Sequence, residues 1–75
     1  MKNIIQKISE NVRKERLKQG LSQADLADKA GLHYNYIGLI ERASCNVSII
    51  VLEKIAQALN IKISFLLGEN DGTKT

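Results

Sequence analysis

Residues 21–42 read LSQADLADKAGLHYNYIGLIER, and the punctuation of this stretch decides the fold. Ser22 stands where a helix N-cap belongs, because its hydroxyl can accept from backbone N–H groups that a first turn leaves unpaired. Asp25, three residues on, completes a capping-box-like pair and puts a negative group near the positive end of the helix. Good helix formers continue to Ala30, and Gly31 can take the left-handed conformation that ends a helix. A second helix starts near His33 and runs to Glu41 or Arg42. Two short helices separated by Gly31 and Leu32 predict a helix-turn-helix over about residues 22–42. The small Ala27 permits the tight crossing, and Leu26, Ala30, Leu32, Ile37 and Ile40 supply the inward apolar faces.

Working outward, a long first helix is expected from about Asn3 to Gln19, with Ile5, Ile8 and Val12 on one face and Gly20 as its stop. Ser48 reads as the N-cap of a fourth helix that carries Leu52, Ile55, Ala56 and Leu59 on one stripe. A short fifth helix follows, roughly Ser64 to Leu67. There is no proline, repeat or low-complexity stretch, and no strand-like alternation. The expectation is an all-α, five-helix domain over residues 1–68, with 69–75 a flexible polar tail.

Composition narrows the function. Seventy-five residues make one domain at most, with a modest core. The single cysteine, Cys45, cannot form an intrachain disulfide, which fits a reducing cytoplasm; it reads as an incidental loop thiol. No Cys/His cluster has metal-ligand spacing, so neither a metal nor another cofactor is expected. The N-terminal MKNIIQKISENVRK is broken by charges every few residues, unlike a signal peptide or a membrane span. No nucleophile or carboxylate is arranged around His33, so no enzyme and no small-molecule ligand are expected. Net charge is +3, and it is uneven: residues 1–20 carry six basic and two acidic side chains (+4), the remainder five and six (−1). That balance is compatible with a polyanionic partner and equally with a solvated basic helix.

The odd feature is GLHYNYIGLIER, residues 31–42, which gathers both tyrosines and the only histidine around a mid-helix glycine. On a 3.6-residue wheel Ile37 and Ile40 point inward, whereas Asn35, Gly38, Leu39 and Arg42 point outward. Tyr34 and Tyr36 lie on the flanks, and His33 and Glu41 near the edges. In a helix-turn-helix the outward face of the second helix enters the major groove of double-stranded DNA. Asn35 can pair with an adenine edge, Leu39 can meet a thymine methyl, and the tyrosine hydroxyls can reach phosphates or base edges. Base readout is therefore assigned to His33, Tyr34, Asn35, Tyr36 and Leu39. The alternatives are a capping His33, a Tyr36 packed beside the preceding helix and a Leu39 that is merely exposed. Gly38 is expected to let the helix approach DNA closely, at an intrinsic cost of roughly 1 kcal/mol against alanine. Arg42, Ser44 and Asn46 follow the helix and should face the sugar-phosphate backbone.

The string LSQADLADKAGLHYNYIGLIER resembles the Xre/Cro-type repressor family, in which LSQ-x-x-LA-x-x-AGL and YI-x-x-IER recur; the resemblance covers about residues 8–67. GLH-x-x-YIG-x-IER followed by NVS is most similar to the small controller proteins of restriction–modification systems. The resemblance implies a compact lambda-repressor-like domain that dimerises on DNA. It implies a phosphate contact for Gln23, and a semi-buried ion pair between Arg16 and Glu41 that ties the first helix to the third. Three departures stand out: Ala43 where a glycine is common, Tyr34 where controllers often carry arginine, and Cys45 where they often carry a basic residue. Ala43 must either turn left-handed, at about 1 kcal/mol, or let the helix run on.

In the last helix Leu66 and Leu67 can point inward and Ile61 can close the core. Ile63 and Phe65 then have little to pack against in one subunit, which points to a homodimer interface. The reading is a cytoplasmic, dimeric, sequence-specific transcription regulator on a pseudo-palindromic operator, as a controller of a restriction–modification system. The alternatives are a phage or mobile-element repressor or antitoxin of the same fold, or an interaction module that does not bind DNA.

Overall fold

Side chains placed by the sequence start four of the five helices. The computed structural model describes residues 3–68, and among them the elements are α1 (Ile4–Lys18), α2 (Gln23–Ala30), α3 (Tyr34–Glu41), α4 (Ile49–Leu59) and α5 (Ile63–Leu66), with no strand. Asn3 and Gln6 form a capping box at α1, and Ser22 and Asp25 form one at α2. The Ser48 hydroxyl accepts from the Val51 N–H at 3.1 Å to open α4. His33 caps α3 through Nδ1, which accepts from the Asn35 N–H at 3.1 Å. The expected tail, 69–75, lies outside the described residues.

The helix ends share one device. After each of α1 to α4 a residue turns left-handed: Gly20, Gly31, Ala43 and Asn60, with φ between 57° and 73°. Each turn returns two N–H groups to carbonyls of the last helical turn, the pattern that satisfies a helix C-terminus. At α3 the Ala43 N–H donates to the Ile40 carbonyl at 3.0 Å and the Ser44 N–H to the Leu39 carbonyl at 2.9 Å. Of the two possibilities at Ala43, the chain adopts the left-handed one (φ 57°). The sharp turn lets Cys45 and Val47 pack against the core instead of continuing α3 into solvent.

The core joins Ile8 and Val12 of α1, Leu26, Ala27 and Ala30 of α2, and Ile37 and Ile40 of α3 to the α4 stripe and Leu66. Helix α2 packs on α3 and α4, and α1 lies against α3 and α5. Two side-chain amides, one in α1 and one just past its end, stitch the helix to distant carbonyls. Gln19 Nε2 donates to the Leu59 carbonyl at 2.7 Å, and Asn11 Nδ2 donates to the Leu66 carbonyl at 3.1 Å.

Helix α5 corrects one expectation. It begins at Ile63, one residue earlier than expected. Ile63 therefore shares a face with Leu66, three residues on, and is partly buried against the core rather than left with little to pack against. Leu66 is buried and Leu67 is partly buried against the core, both in the inward direction expected. Phe65 remains 38% exposed.

Candidate nucleic-acid interface

Helix α3 commits both of its isoleucines, Ile37 and Ile40, fully to the core. That packing fixes the rotation of the helix, and so what it shows to solvent. Tyr34 is 55% exposed and Leu39 37%, and Asn35 is exposed between them. The His33 ring stacks on Tyr34 with centroids 5.1 Å apart. Tyr36 is partly buried and packs against the core, so most of its ring serves the fold.

Gln23, Tyr34, Asn35, Gly38, Leu39 and Arg42 line one shallow depression of about 290 Å³. The first residue of α2 and the outward face of α3 thus form a single surface. Ser44 and Asn46 are exposed but lie elsewhere, lining a second groove with Asn3, Gln6 and Cys45 between the start of α1 and the loop after α3.

Behind this surface the Arg16 guanidinium clasps the Glu41 carboxylate with two bonds, Nε to Oε2 at 2.6 Å and Nη2 to Oε1 at 3.0 Å. The pair is secluded, with 9% and 3% of the two side chains exposed. Arg16 Nη1 also donates to the Leu21 carbonyl at 2.7 Å, so α1 holds both the entry to α2 and the end of α3. The hydrogen bonds that Arg16 donates to Glu41, helped by the charge of Glu41 and opposed by burial, hold Arg16 protonated even more firmly than an ordinary arginine. Removing one partner of such a pair typically costs about 3–5 kcal/mol, because the other charge is left buried alone.

Sequence reasoning missed the third member of this network. Gln23 Nε2 donates to Glu41 Oε1 at 3.2 Å. The amide nitrogen has two hydrogens, and one of them is anchored on Glu41. Nothing in the sequence signals this contact, because it spans 18 residues and depends on how α2 crosses α3.

Gly38 also departs from its expected role. It is buried, and a Cβ there would meet Arg42 Nη1 at 3.2 Å and Gln23 Oε1 at 3.5 Å. The glycine is covered by two side chains of the protein itself rather than left bare for DNA.

Among the described residues no group of His, Cys, Asp or Glu is placed to hold a metal ion, and no helix is long and apolar enough to cross a membrane.

The helix-turn-helix family matches residues 12–66 of the chain. The control protein C.SmaI of Serratia marcescens is 45% identical over 60 residues, which span 80% of this chain and 71% of that protein. The crystal structure of the restriction–modification controller protein C.AhdI from Aeromonas hydrophila aligns with a TM-score of 0.80 at 39% identity, covering 83% of this chain and 94% of that one. The controller protein C.Esp1396I, solved as a tetramer in complex with its natural 35-base-pair operator, aligns with a TM-score of 0.80 at 36% identity over 88% of this chain and 87% of that one. The chain therefore belongs to the Xre-type helix-turn-helix family of transcriptional regulators, and restriction–modification controller proteins are among its relatives.

Proposed function

We propose that the chain is a sequence-specific DNA-binding regulator that acts as a homodimer on a pseudo-palindromic operator and controls a restriction–modification system. The observation that carries this reading is the single surface formed by the start of α2 and the outward face of α3, where polar and aromatic side chains stand free of the core. A relative of the same fold, C.Esp1396I, is seen on its operator, which supports the same role here. Asn35 and Leu39 would read base edges from the middle of α3, with Tyr34 and His33 at its start and the hydroxyl of Tyr36 on the flank. Gln23 would grip a phosphate with the N–H that Glu41 leaves unused, helped by the positive end of α2. Ser44 and Asn46, exposed in the loop after α3, would meet the backbone farther along. Residues 1–68 would form the binding domain. The protein would work in the cytoplasm without catalysis, metal or cofactor, its output set by its own concentration.

Selection of bound duplexes from a random pool tests the proposal. Enrichment of a two-fold related sequence is expected, and recovery of unenriched DNA would refute it. On the selected operator Asn35→Ala should lower affinity by about 1–3 kcal/mol while helicity is kept, since it removes base contacts and no core contact. Gln23→Ala should weaken binding to all sequences alike, because a phosphate contact positions without reading.

A further inference from the structure

We infer that Arg42 reads a guanine and that Gly38 is the seat that aims it, an assignment resting on the DNA-binding reading above. Side chains on a helix lean toward its N-terminus, so Arg42 lies over the residue four positions earlier, which is Gly38. That residue has no side chain, and the slot it leaves is filled. Arg42 Nη1 stands 3.2 Å and Cζ 3.9 Å from where a Cβ of residue 38 would be, and Gln23 Oε1 closes the slot at 3.5 Å. The guanidinium is thus laid back along α3, into the depression that Asn35 and Leu39 line. It does not extend toward Ser44 and Asn46, which occupy a different groove.

The charge of Arg42 is also uncommitted. Among the described residues it has no carboxylate partner, in contrast to Arg16, whose guanidinium is held by Glu41. A planar fork of N–H donors on the groove-facing side of a recognition helix matches the paired O6 and N7 acceptors of guanine. Glycine is a poor residue for a helix interior, and this placement gives it a reason to be there.

The test compares the parent with Arg42→Lys and Gly38→Ala, first by selection from a random duplex pool and then by titration of the selected operator and of one carrying A·T in place of each selected G·C pair. Lysine keeps the charge and loses the fork. Arg42→Lys should keep affinity for random duplex and lose roughly 5- to 150-fold of the discrimination at one G·C pair per half-site. Gly38→Ala should stay folded, with an equal or higher melting temperature, because the atom its methyl meets is the end of a flexible side chain. It should nevertheless lose preference at the same G·C pair, since the methyl displaces Nη1. Unchanged preferences in either variant, or a uniform loss across sequences in Arg42→Lys, would overturn the assignment and leave Arg42 on the backbone. If the parent itself enriches no sequence, the DNA-binding reading fails and this inference fails with it.

Discussion

Ala43 is the residue where local preference and tertiary demand conflict. It sits at φ 57°, in a conformation that glycine enters freely and that costs an L-residue with a Cβ about 1–2 kcal/mol. The two hydrogen bonds that close α3 and the burial of Val47 beyond it offset that strain. Ala43→Gly should accordingly stabilise the domain by about 0.5–1 kcal/mol, less than the full strain because glycine also enlarges the unfolded ensemble. A rise in the urea midpoint at unchanged slope is the expected result; a lower midpoint would mean that the alanine methyl contributes packing that outweighs its strain. Asn60 occupies the equivalent position after α4 without comparable conflict, since asparagine tolerates this region better.

At the scale of elements, α2 depends on its first turn. The Asp25 carboxylate accepts from the Ser22 N–H at 3.0 Å, and the Ser22 hydroxyl accepts from the Asp25 N–H at 2.9 Å. The bond from the Ser22 backbone, then the one with its side chain, holds the Asp25 carboxyl below its ordinary pKa, with Lys29 adding attraction. A carboxylate favoured in the folded state stabilises fully above its unfolded pKa, and the contribution disappears as the pH falls through the lowered folded value. The parent should therefore be more stable than Asp25→Asn at neutral pH, and the gap should close in acid. Thermal melts of both proteins from neutral to about pH 2 check this; a gap that stays constant would show that charge at Asp25 is irrelevant to the cap. The same short helix presents Gln23, so the box that starts α2 also positions a proposed phosphate contact. Arg16, Glu41 and Gln23 then lock α1, α3 and α2 together behind the reading face.

For the whole molecule, the proposed homodimer requires a surface on which two copies would meet. Ile63 is partly buried within one subunit, which leaves Phe65, on the outer side of α5, as the residue proposed to cross a two-fold axis. Such a dimer would set two copies of α3 about one turn of DNA apart, roughly 34 Å. Phe65→Asp should give a folded monomer, because the charge would face its own symmetry copy in the dimer and water in the monomer. Operator affinity should fall roughly 100-fold or more, as each half-site is then bound without help from the other. Sedimentation with circular dichroism decides the matter: a variant that stays dimeric moves the interface away from Phe65, and one that unfolds assigns Phe65 to the subunit core.

The order of helices, their caps and their buried stripes were legible in the sequence because they rest on contacts between residues three or four apart. Ser22 with Asp25, the left-handed glycines and the apolar spacing of α4 all act within a single turn, and a linear reading sees them. The exposed face of α3 followed by subtraction, once Ile37 and Ile40 were assigned inward. What tertiary structure decided are the contacts between helices. Glu41 receives Arg16 from α1 and Gln23 from α2 at separations of 25 and 18 residues. Ile63 packs against the core within one subunit, a contact between helices that a linear reading does not see. Gly38 looked bare on a helical wheel, yet it is covered by Gln23 and Arg42. A wheel gives the direction in which a residue points but not which side chains fold back over it, and that depends on how α2 and α3 cross.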